Sequence, residues 1–469
     1  MARYLVSRSD VHQFIERCMK AVGAQSSHGS ALADVLVEGD YRGHYSHGLN
    51  RLDIYLKDLK TGICAKDGEP LIDKSTVATA LVNGNNLIGP VVGNFCMDLA
   101  IKKAKDVGIG WVTAYGSNHY GIAGFYSMQT LKHGLIGMTC TNTSPVVVPT
   151  RATKCTLGTN PISVAAPALN GDSFVLDMAT SAVALGKIEV QQRRGEKVPK
   201  GWGCNSKGKD TTDPTEILKG GGLLPLGGAE ATSGYKGYGL SLMVEVFCGM
   251  LSGSQYSKNI RPWKDTNKVA NLGQCFVAIN PNCFTSGFEE RMSDLLKIHR
   301  TLEQSEPGLS VLIPGDPETL HIRECEHQGG IPYHVNVVDF MWVGHSCCFS
   351  CLPLSPPSVP CRCEPAPLRK DARPQREPTV SPQHRDRLQE RDMQGLKRPL
   401  TQGLRFLIAG NRQQLLPRAR IVSKPAKNAL TTTEQIIGFT VLTASIMIPS
   451  SWILAHMEDY KHRPEPANN

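Results

Sequence analysis

Residues 342–392 carry proline, cysteine and arginine with no sustained apolar periodicity, and this stretch most limits what the chain can fold into. A segment of that composition cannot bury enough apolar surface to offset the entropy of ordering it, so it is expected to be a disordered linker. The chain is therefore read as two pieces, a front part of residues 1–341 and a back part after 392. Within the linker His345, Cys347, Cys348, Cys351, Cys361 and Cys363 include one Cys-x-x-Cys pair. Its companion is Cys-x-Cys with no framework around it, so no metal site is expected.

At 469 residues and 41% hydrophobic content the chain can build cores for two or three domains. The net charge of +9 does not imply a nucleic-acid partner, because much of the lysine and arginine lies after residue 360 and the front is mixed in sign. Most of the fifteen cysteines stand singly in apolar surroundings, as Cys140, Cys155 and Cys275 do, the pattern of buried thiols in a reducing compartment. Met1-Ala2-Arg3-Tyr4-Leu5-Val6 lacks the long apolar run of a secretory signal, so none is expected to start here.

The front part reads as α/β. Ser9 is the expected cap of a first helix with Val11, Phe14, Cys18 and Val22 on one face and Gly23 at its end, and a second helix carries Leu32, Val35 and Leu36. A strand over 75–82 leads into the turn Asn83-Gly84-Asn85-Asn86, and a helix follows around Met97, Ala100, Ile101 and Ala104. The buried strand 109–114 stops at Tyr115-Gly116-Ser117-Asn118-His119-Tyr120-Gly121. There a histidine sits among small residues at a strand end, where the backbone is fixed and the loop opens. Strand 136–141 ends in Asn142-Thr143-Ser144-Pro145; Gly158-Thr159-Asn160-Pro161 begins another; Phe174-Val175-Leu176 runs into Asp177-Met178-Ala179-Thr180-Ser181. Asp177 suits hydrogen bonds from ribose hydroxyls, or equally the capping of a strand end. Residues 191–214 form a polar surface excursion, 274–279 a strand, 288–302 an amphipathic helix, and 311–316 a strand and turn.

The chemistry concentrates in Tyr45-Ser46-His47-Gly48-Leu49-Asn50-Arg51. With Ser46 as N-cap and Leu52, Tyr55, Leu56 and Leu59 at helical spacing up to Gly62, His47 and Arg51 are expected at i and i+4 on one helix face. An arginine fork binds a planar carboxylate while a near-neutral histidine gives or takes a proton beside it, which is what reduction of a 2-keto acid needs. Gly234-Tyr235-Lys236-Gly237-Tyr238-Gly239 opens a helix with Leu240, Val244, Phe247 and Leu251 on its buried face. Its free amides and Lys236 suit a diphosphate cradle, although a plain turn would use the same glycines. No Gly-x-Gly-x-x-Gly follows a strand, so a nicotinamide cofactor would bind on a fold other than the usual one.

Taken in order, these blocks together with Pro314-Gly315-Asp316 resemble the type-2 malate/L-lactate dehydrogenase family over residues 3–340. The resemblance implies a non-Rossmann, sulfolactate dehydrogenase-like α/β fold, with a helical part over 1–70 and a cofactor and substrate part over 71–341. It also implies a homodimer, a small 2-hydroxy/2-keto acid substrate, and NAD or NADP. By the family pattern His47 and His119 are the acid/base residues, Arg51 the carboxylate clamp and Ser46 their support. Thr143, Ser144, Asp177, Met178, Ser181, Lys236, Gly237, Pro314, Gly315 and Asp316 are the implied cofactor contacts. The family's own C-terminal tail is missing after residue 341, so an inactive fusion product is an alternative to the working enzyme.

In the back part no acidic residue occurs between Met393 and Thr433, while basic residues recur among Leu and Phe. Residues 393–433 thus look like a mitochondrial presequence. Residues 436–455 run without a charge for about the length that spans a bilayer as a helix. This region resembles cytochrome c oxidase subunit eight, implying a single-span segment at 434–469 and association with that oxidase. The expected location is cytoplasmic for the dehydrogenase part, or the mitochondrial inner membrane if the C-terminal segment directs the chain. Two unrelated proteins joined in one chain is the reading that follows.

Overall fold

The computed structural model describes residues 3–344 apart from Lys264. The linker at 342–392 past residue 344, with its cysteines, the presequence-like 393–433 and the single-span 434–469 lie outside these residues. Among the described residues no helix is long and apolar enough to cross a membrane.

A short strand β1 (Arg3–Val6) leads into helices α1 (Arg8–Ala21), α2 (Ser26–Tyr41) and α3 (Leu52–Lys60). Ser7, not Ser9, caps α1 by accepting from the Asp10 amide. The chain leaves β1 extended at residue 7, so the cap falls there and Ser9 is already inside the first turn. The expected strand 75–82 is a hairpin of β2 (Leu71–Ser75) and β3 (Thr79–Asn83). There follow α4 (Gly89–Val107), β4 (Ile109–Ser117), the single turn α5 (Gly124–Ser127), β5 (Ile136–Thr141), β6 (Ile162–Pro167), β7 (Ser173–Met178) and α6 (Leu185–Arg194). A small excursion holds β8 (Gly203–Cys204), β9 (Asp210–Thr211), α7 (Pro214–Leu218) and β10 (Gly222–Leu223). Then come α8 (Gly234–Glu245), extended by a π turn at Val246–Met250, β11 (Leu272–Ile279), α9 (Phe288–Arg300), α10 (Asp316–Gln328), β12 (Ile331–His334) and α11 (Val335–Gly344). Val311-Leu312-Ile313 form no strand; only the Pro314 carbonyl reaches the sheet, accepting from the Val175 amide. Leu251 is exposed instead of facing the core, because the π turn shifts the phase of α8 beyond residue 245.

The main sheet runs β2-β3-β4-β11-β5-β6-β7. β11 is antiparallel to both neighbours, so β4 and β5 run the same way and end at one edge. β6 starts at that edge and β7 ends there, with Ile162 opposite Met178. Polar residues far apart in sequence therefore meet along one edge. β11 is buried almost throughout, with Phe276 and Ala278 against α4 and Cys275 and Val277 against α8. A side chain at Gly110 would meet the Ala100 carbonyl oxygen at 2.1 Å, so glycine is required for α4 to lie this close to β4.

The helical part expected over 1–70 is completed from the far end of the chain. β12 pairs antiparallel with β1, and Cys325, Ile331, Tyr333 and Met341 join the core of α1–α3.

Candidate active site

Asp40, at the end of α2, is fully buried and accepts from the Leu49 amide (2.8 Å) and the Tyr333 hydroxyl (2.6 Å). Burial pushes its carboxyl up to about 7, against the opposing pull of those two bonds. The loop 44–51 wraps this carboxylate so closely that a side chain at Gly48 would overlap it. Asp40 thus takes the amide that Ser46 was expected to cap, and a 3-10 turn (Leu49–Arg51) precedes α3. His47 and Arg51 are not i and i+4 on one helix, as the spacing suggested. They are held together by the loop, in which Arg51 Nε donates to the Ser46 carbonyl (2.5 Å) and the Ser46 hydroxyl bonds His47 Nδ1 (2.8 Å).

His119, just past β4, stacks on His47 with ring centroids 5.8 Å apart and planes 17° apart. The Tyr55 hydroxyl lies 2.6 Å from His119 Nδ1, and the Gly121 amide donates to the same nitrogen at 3.3 Å. A backbone amide can only donate, so Nδ1 carries the lone pair and the neutral ring holds its proton on Nε2. Burial, then the charge of Arg51 and the neighbouring His44, takes His47 down to about 4. Burial followed by His47, Arg51 and Arg261 holds His119 well below the usual histidine range. Both rings are therefore neutral near pH 7. The Arg51 guanidinium is also partly desolvated, with Glu189 of α6 the leading charge that opposes the effect. It lies 5.4 Å from the Trp263 ring centroid, and that indole is 4.9 Å from His119.

Below these groups sits a buried ion pair. Asp58 of α3 binds Arg261 Nη2 (2.5 Å) and Nη1 (3.3 Å) and accepts from Asn118 Nδ2 (2.9 Å). Asn118 Oδ1 in turn accepts from the His119 amide, and Gln274 at the start of β11 donates to the Asn118 carbonyl. Arg261 also lines a cleft of about 610 Å³, with Asn85, Asn86, Tyr115, Lys258 and Asn271 among others; none of the two histidines, Arg51 and Trp263 lines it.

The expected cofactor residues fall into two groups, one at the sheet edge where β5 and β7 end and one running back along β7 from Asp177 to Val175. In the first, the Thr143 amide donates to Asn160 Oδ1, the Thr180 hydroxyl donates to the Thr159 and Asn160 carbonyls, and the Ser181 hydroxyl to the Val183 carbonyl; Ser144 is buried nearby in the chain. Asn160 anchors α8 through the Ser241 carbonyl and the buried Glu245. Gly237 packs on Leu226, whose backbone a side chain would strike at 2.3 Å, whereas Lys236 is exposed in the first turn. In the second group, Asp177 accepts from the Gly124 amide (2.7 Å), and burial raises its carboxyl to about 6 despite that bond and the nearby charges of His44 and Arg42. Met178 ends β7 beside it, Gly315 packs on Val175, and Asp316 is bound by Arg300 and the Ile313 amide.

Tyr55, Asp58, Trp263 and Arg261 escaped the sequence reading. Tyr55 looked like one more core residue, yet it stands four residues after Arg51 and its hydroxyl was the available signal. Nothing local marks Trp263 or Arg261.

Residues 6–341 match the family model described as malate/L-lactate dehydrogenase, and residues 421–463 match that of cytochrome oxidase c subunit VIII. The chain is 40% identical over 338 residues to a malate dehydrogenase of Pyrococcus abyssi, covering 71% of this chain and 92% of that protein. It is 37% identical over 327 residues to a malate/(S)-sulfolactate dehydrogenase of Methanothermus fervidus, covering 69% and 93%. Among solved structures, the malate dehydrogenase of Pyrococcus horikoshii superposes with a TM-score of 0.68 at 35% identity, over 74% of this chain and 96% of that one. The sulfolactate dehydrogenase of Methanocaldococcus jannaschii does so with 0.66 at 35%, over 72% and 95%.

Proposed function

The chain belongs to the malate/L-lactate dehydrogenase family and is an oxidoreductase acting on a CH–OH group, and from that premise we propose that it moves hydride between NAD or NADP and a small 2-hydroxy/2-keto acid. The substrate would be of the malate, lactate or sulfolactate type. The observation that carries this reading is the neutral His119 ring, its Nε2 proton fixed by Tyr55 and Gly121, beside the Arg51 guanidinium. Among the described residues the terminal amino groups of that fork make no hydrogen bond, so they suit the substrate carboxylate. His119 Nε2–H would donate a hydrogen bond to the C2 oxygen and stabilise the charge that builds there as hydride arrives, with solvent supplying the proton that completes the hydroxyl, a role worth roughly a hundredfold to a thousandfold in rate. His47, bonded to Ser46 and stacked on His119, is the second acid/base candidate.

These residues fit a nicotinamide dinucleotide by their chemistry. Lys236 offers an exposed ammonium in the first turn of a twelve-residue helix, suited to a diphosphate, and Asp177 offers a carboxylate suited to ribose hydroxyls. Thr143, Ser144, Met178, Ser181, Gly237, Pro314 and Gly315 would complete its hold, with Asp316 contributing through Arg300 as a brace. When bound, the cofactor supplies or accepts the hydride. The test is loss of reduced-nicotinamide absorbance with the full chain and oxaloacetate, pyruvate or sulfopyruvate; turnover of at least one is expected, and turnover of none with either cofactor would overturn the reading.

We further propose that the front part works as a homodimer and that the segment at 434–469 inserts in the inner membrane as a single span, joined through the linker. The match of residues 421–463 favours this second activity-free role beside the enzyme. Carbonate-resistant recovery with mitochondrial membranes is expected for the full-length species, whereas recovery wholly in cytosol would leave the front enzyme alone.

A further inference from the structure

The chain between α8 and β11 brings one aromatic ring against both key groups of the catalytic cluster. Trp263 lies 4.9 Å from the His119 ring and 5.4 Å from the Arg51 guanidinium carbon, centroid to group. A molecule with its carboxylate on Arg51 and its C2 oxygen at His119 would therefore bridge two groups that both border the indole. The chain on either side of the ring is anchored. Two residues before it, Arg261 is held by Asp58 and Asn118; two residues after it, the Asp265 carbonyl accepts from Arg261 Nη1 (2.5 Å), and Asp265 Oδ1 accepts from the Asn267 amide. One buried carboxylate on α3 thus aligns the loop bearing Trp263 with the loop bearing His119.

We propose that Trp263 is the specificity-determining residue of this site, a wall against which the C3 substituent of the 2-keto acid packs, restricting the enzyme to short unbranched acids of about three or four carbons. This rests on the dehydrogenase reading above. The same face, lying against the Arg51 cation, helps hold the guanidinium for the carboxylate.

The test measures kcat and KM of the full-length wild type, Trp263→Ala and Trp263→Phe for pyruvate, oxaloacetate, 2-ketohexanoate and phenylpyruvate. Trp263→Ala should raise the ratio of kcat/KM for the two larger acids over pyruvate by at least about 10- to 200-fold, the worth of a single methylene of pocket space. Its KM for the short acids should rise roughly 2- to 30-fold, from loss of the cation–π contact, with kcat changed less. Trp263→Phe, the milder truncation, should shift the ratio in the same direction by a smaller factor and keep most of the KM. If Trp263→Ala fails to fold, Trp263→Phe decides. An active wild type whose substrate ratios are unmoved by either variant would overturn the proposal while leaving the dehydrogenase reading intact. A wild type inactive on all four acids and on sulfopyruvate, with either cofactor, would overturn both.

Discussion

Two arginines tie distant parts of this fold together by the same chemistry and in opposite surroundings. Arg261 and Asp58, with side chains 6% and 3% exposed, join the loop after α8 to α3 beneath the catalytic histidines. Arg300 joins α9 to Asp172 and Asp316, where the side chains are 33%, 39% and 16% exposed. Water screens the second cluster and is shut out of the first, so the bonds cannot be worth the same. In the first cluster the charges are also shared with Asn118, the residue that precedes His119. Burial turns an ordinary ion pair into a device that sets the position of a reacting group.

The strongest test of that contrast is Asp58→Asn. It leaves a buried guanidinium without its counter-charge, and stability should fall by about 3–5 kcal/mol, read as the urea midpoint of the full chain. Activity should fall with it at temperatures where the variant is still folded, because Asn118 and the Trp263 loop lose their common anchor. A loss under 1 kcal/mol (roughly the ceiling for exposed pairs) would mean that the two clusters do not differ as their burial suggests.

Next in size is His119→Ala, which separates the group that is positioned from those that position it. Turnover of keto acid should drop about 10²- to 10³-fold while the urea midpoint moves little. Because both histidines are neutral well above their lowered values, the wild-type kcat/KM should show no histidine titration between pH 6 and 8 (about the window where an unperturbed ring would titrate). Equal losses from Asp58→Asn and His119→Ala in stability would erase the distinction.

Much of this was legible beforehand, for identifiable reasons. The strands at 136–141 and 174–178 and the helix around Met97 announce themselves by runs of apolar residues, and the structure has β5, β7 and α4 there. His119 was visible because a strand ends just before it. The capping of the 44–51 loop was not, since the cap is Asp40, a carboxylate nine residues upstream whose burial depends on Tyr333 almost three hundred residues away. Arg261 and Trp263 were hidden for the same reason. Their partners, Asp58, Asn118 and His119, lie at separations where periodicity carries no information. What local pattern reveals is which segments are regular; what it conceals is which polar groups the sheet order β4-β11-β5 brings to one edge.

Asp40 offers a smaller, pH-dependent version of the buried case. Its carboxyl is raised from 3.8 to about 7 by burial, so between those values the folded chain binds a proton that the unfolded chain has released. Its contribution is full below about pH 4 and is lost as pH rises through 7. His47 acts with the opposite sign, costing stability as pH falls from 6.5 toward 4. Comparison with Asp40→Asn removes that background, since the amide oxygen can still accept from Leu49 and Tyr333. From pH 5 to pH 8 the wild type should lose on the order of 1–3 kcal/mol relative to the variant. Parallel pH profiles for the two would show that Asp40 is not protonated in the folded chain.

The smallest effect belongs to the exposed cluster. Arg300 holds Asp172 below the usual carboxylate range, and it overcomes the burial that would otherwise raise Asp316. Even so, three part-exposed side chains lose little when separated, because water replaces the bonds and salt already weakens them. Arg300→Met should therefore cost about 0.2–1 kcal/mol, and less in high salt. If Asp316 and the Pro314–Gly315 turn serve the cofactor, the same substitution should raise the nicotinamide KM while leaving the keto-acid KM unchanged. That split is what separates a brace on the cofactor side from the buried anchor on the substrate side: Asp58→Asn should move the keto-acid constants, and Arg300→Met only those of the nucleotide.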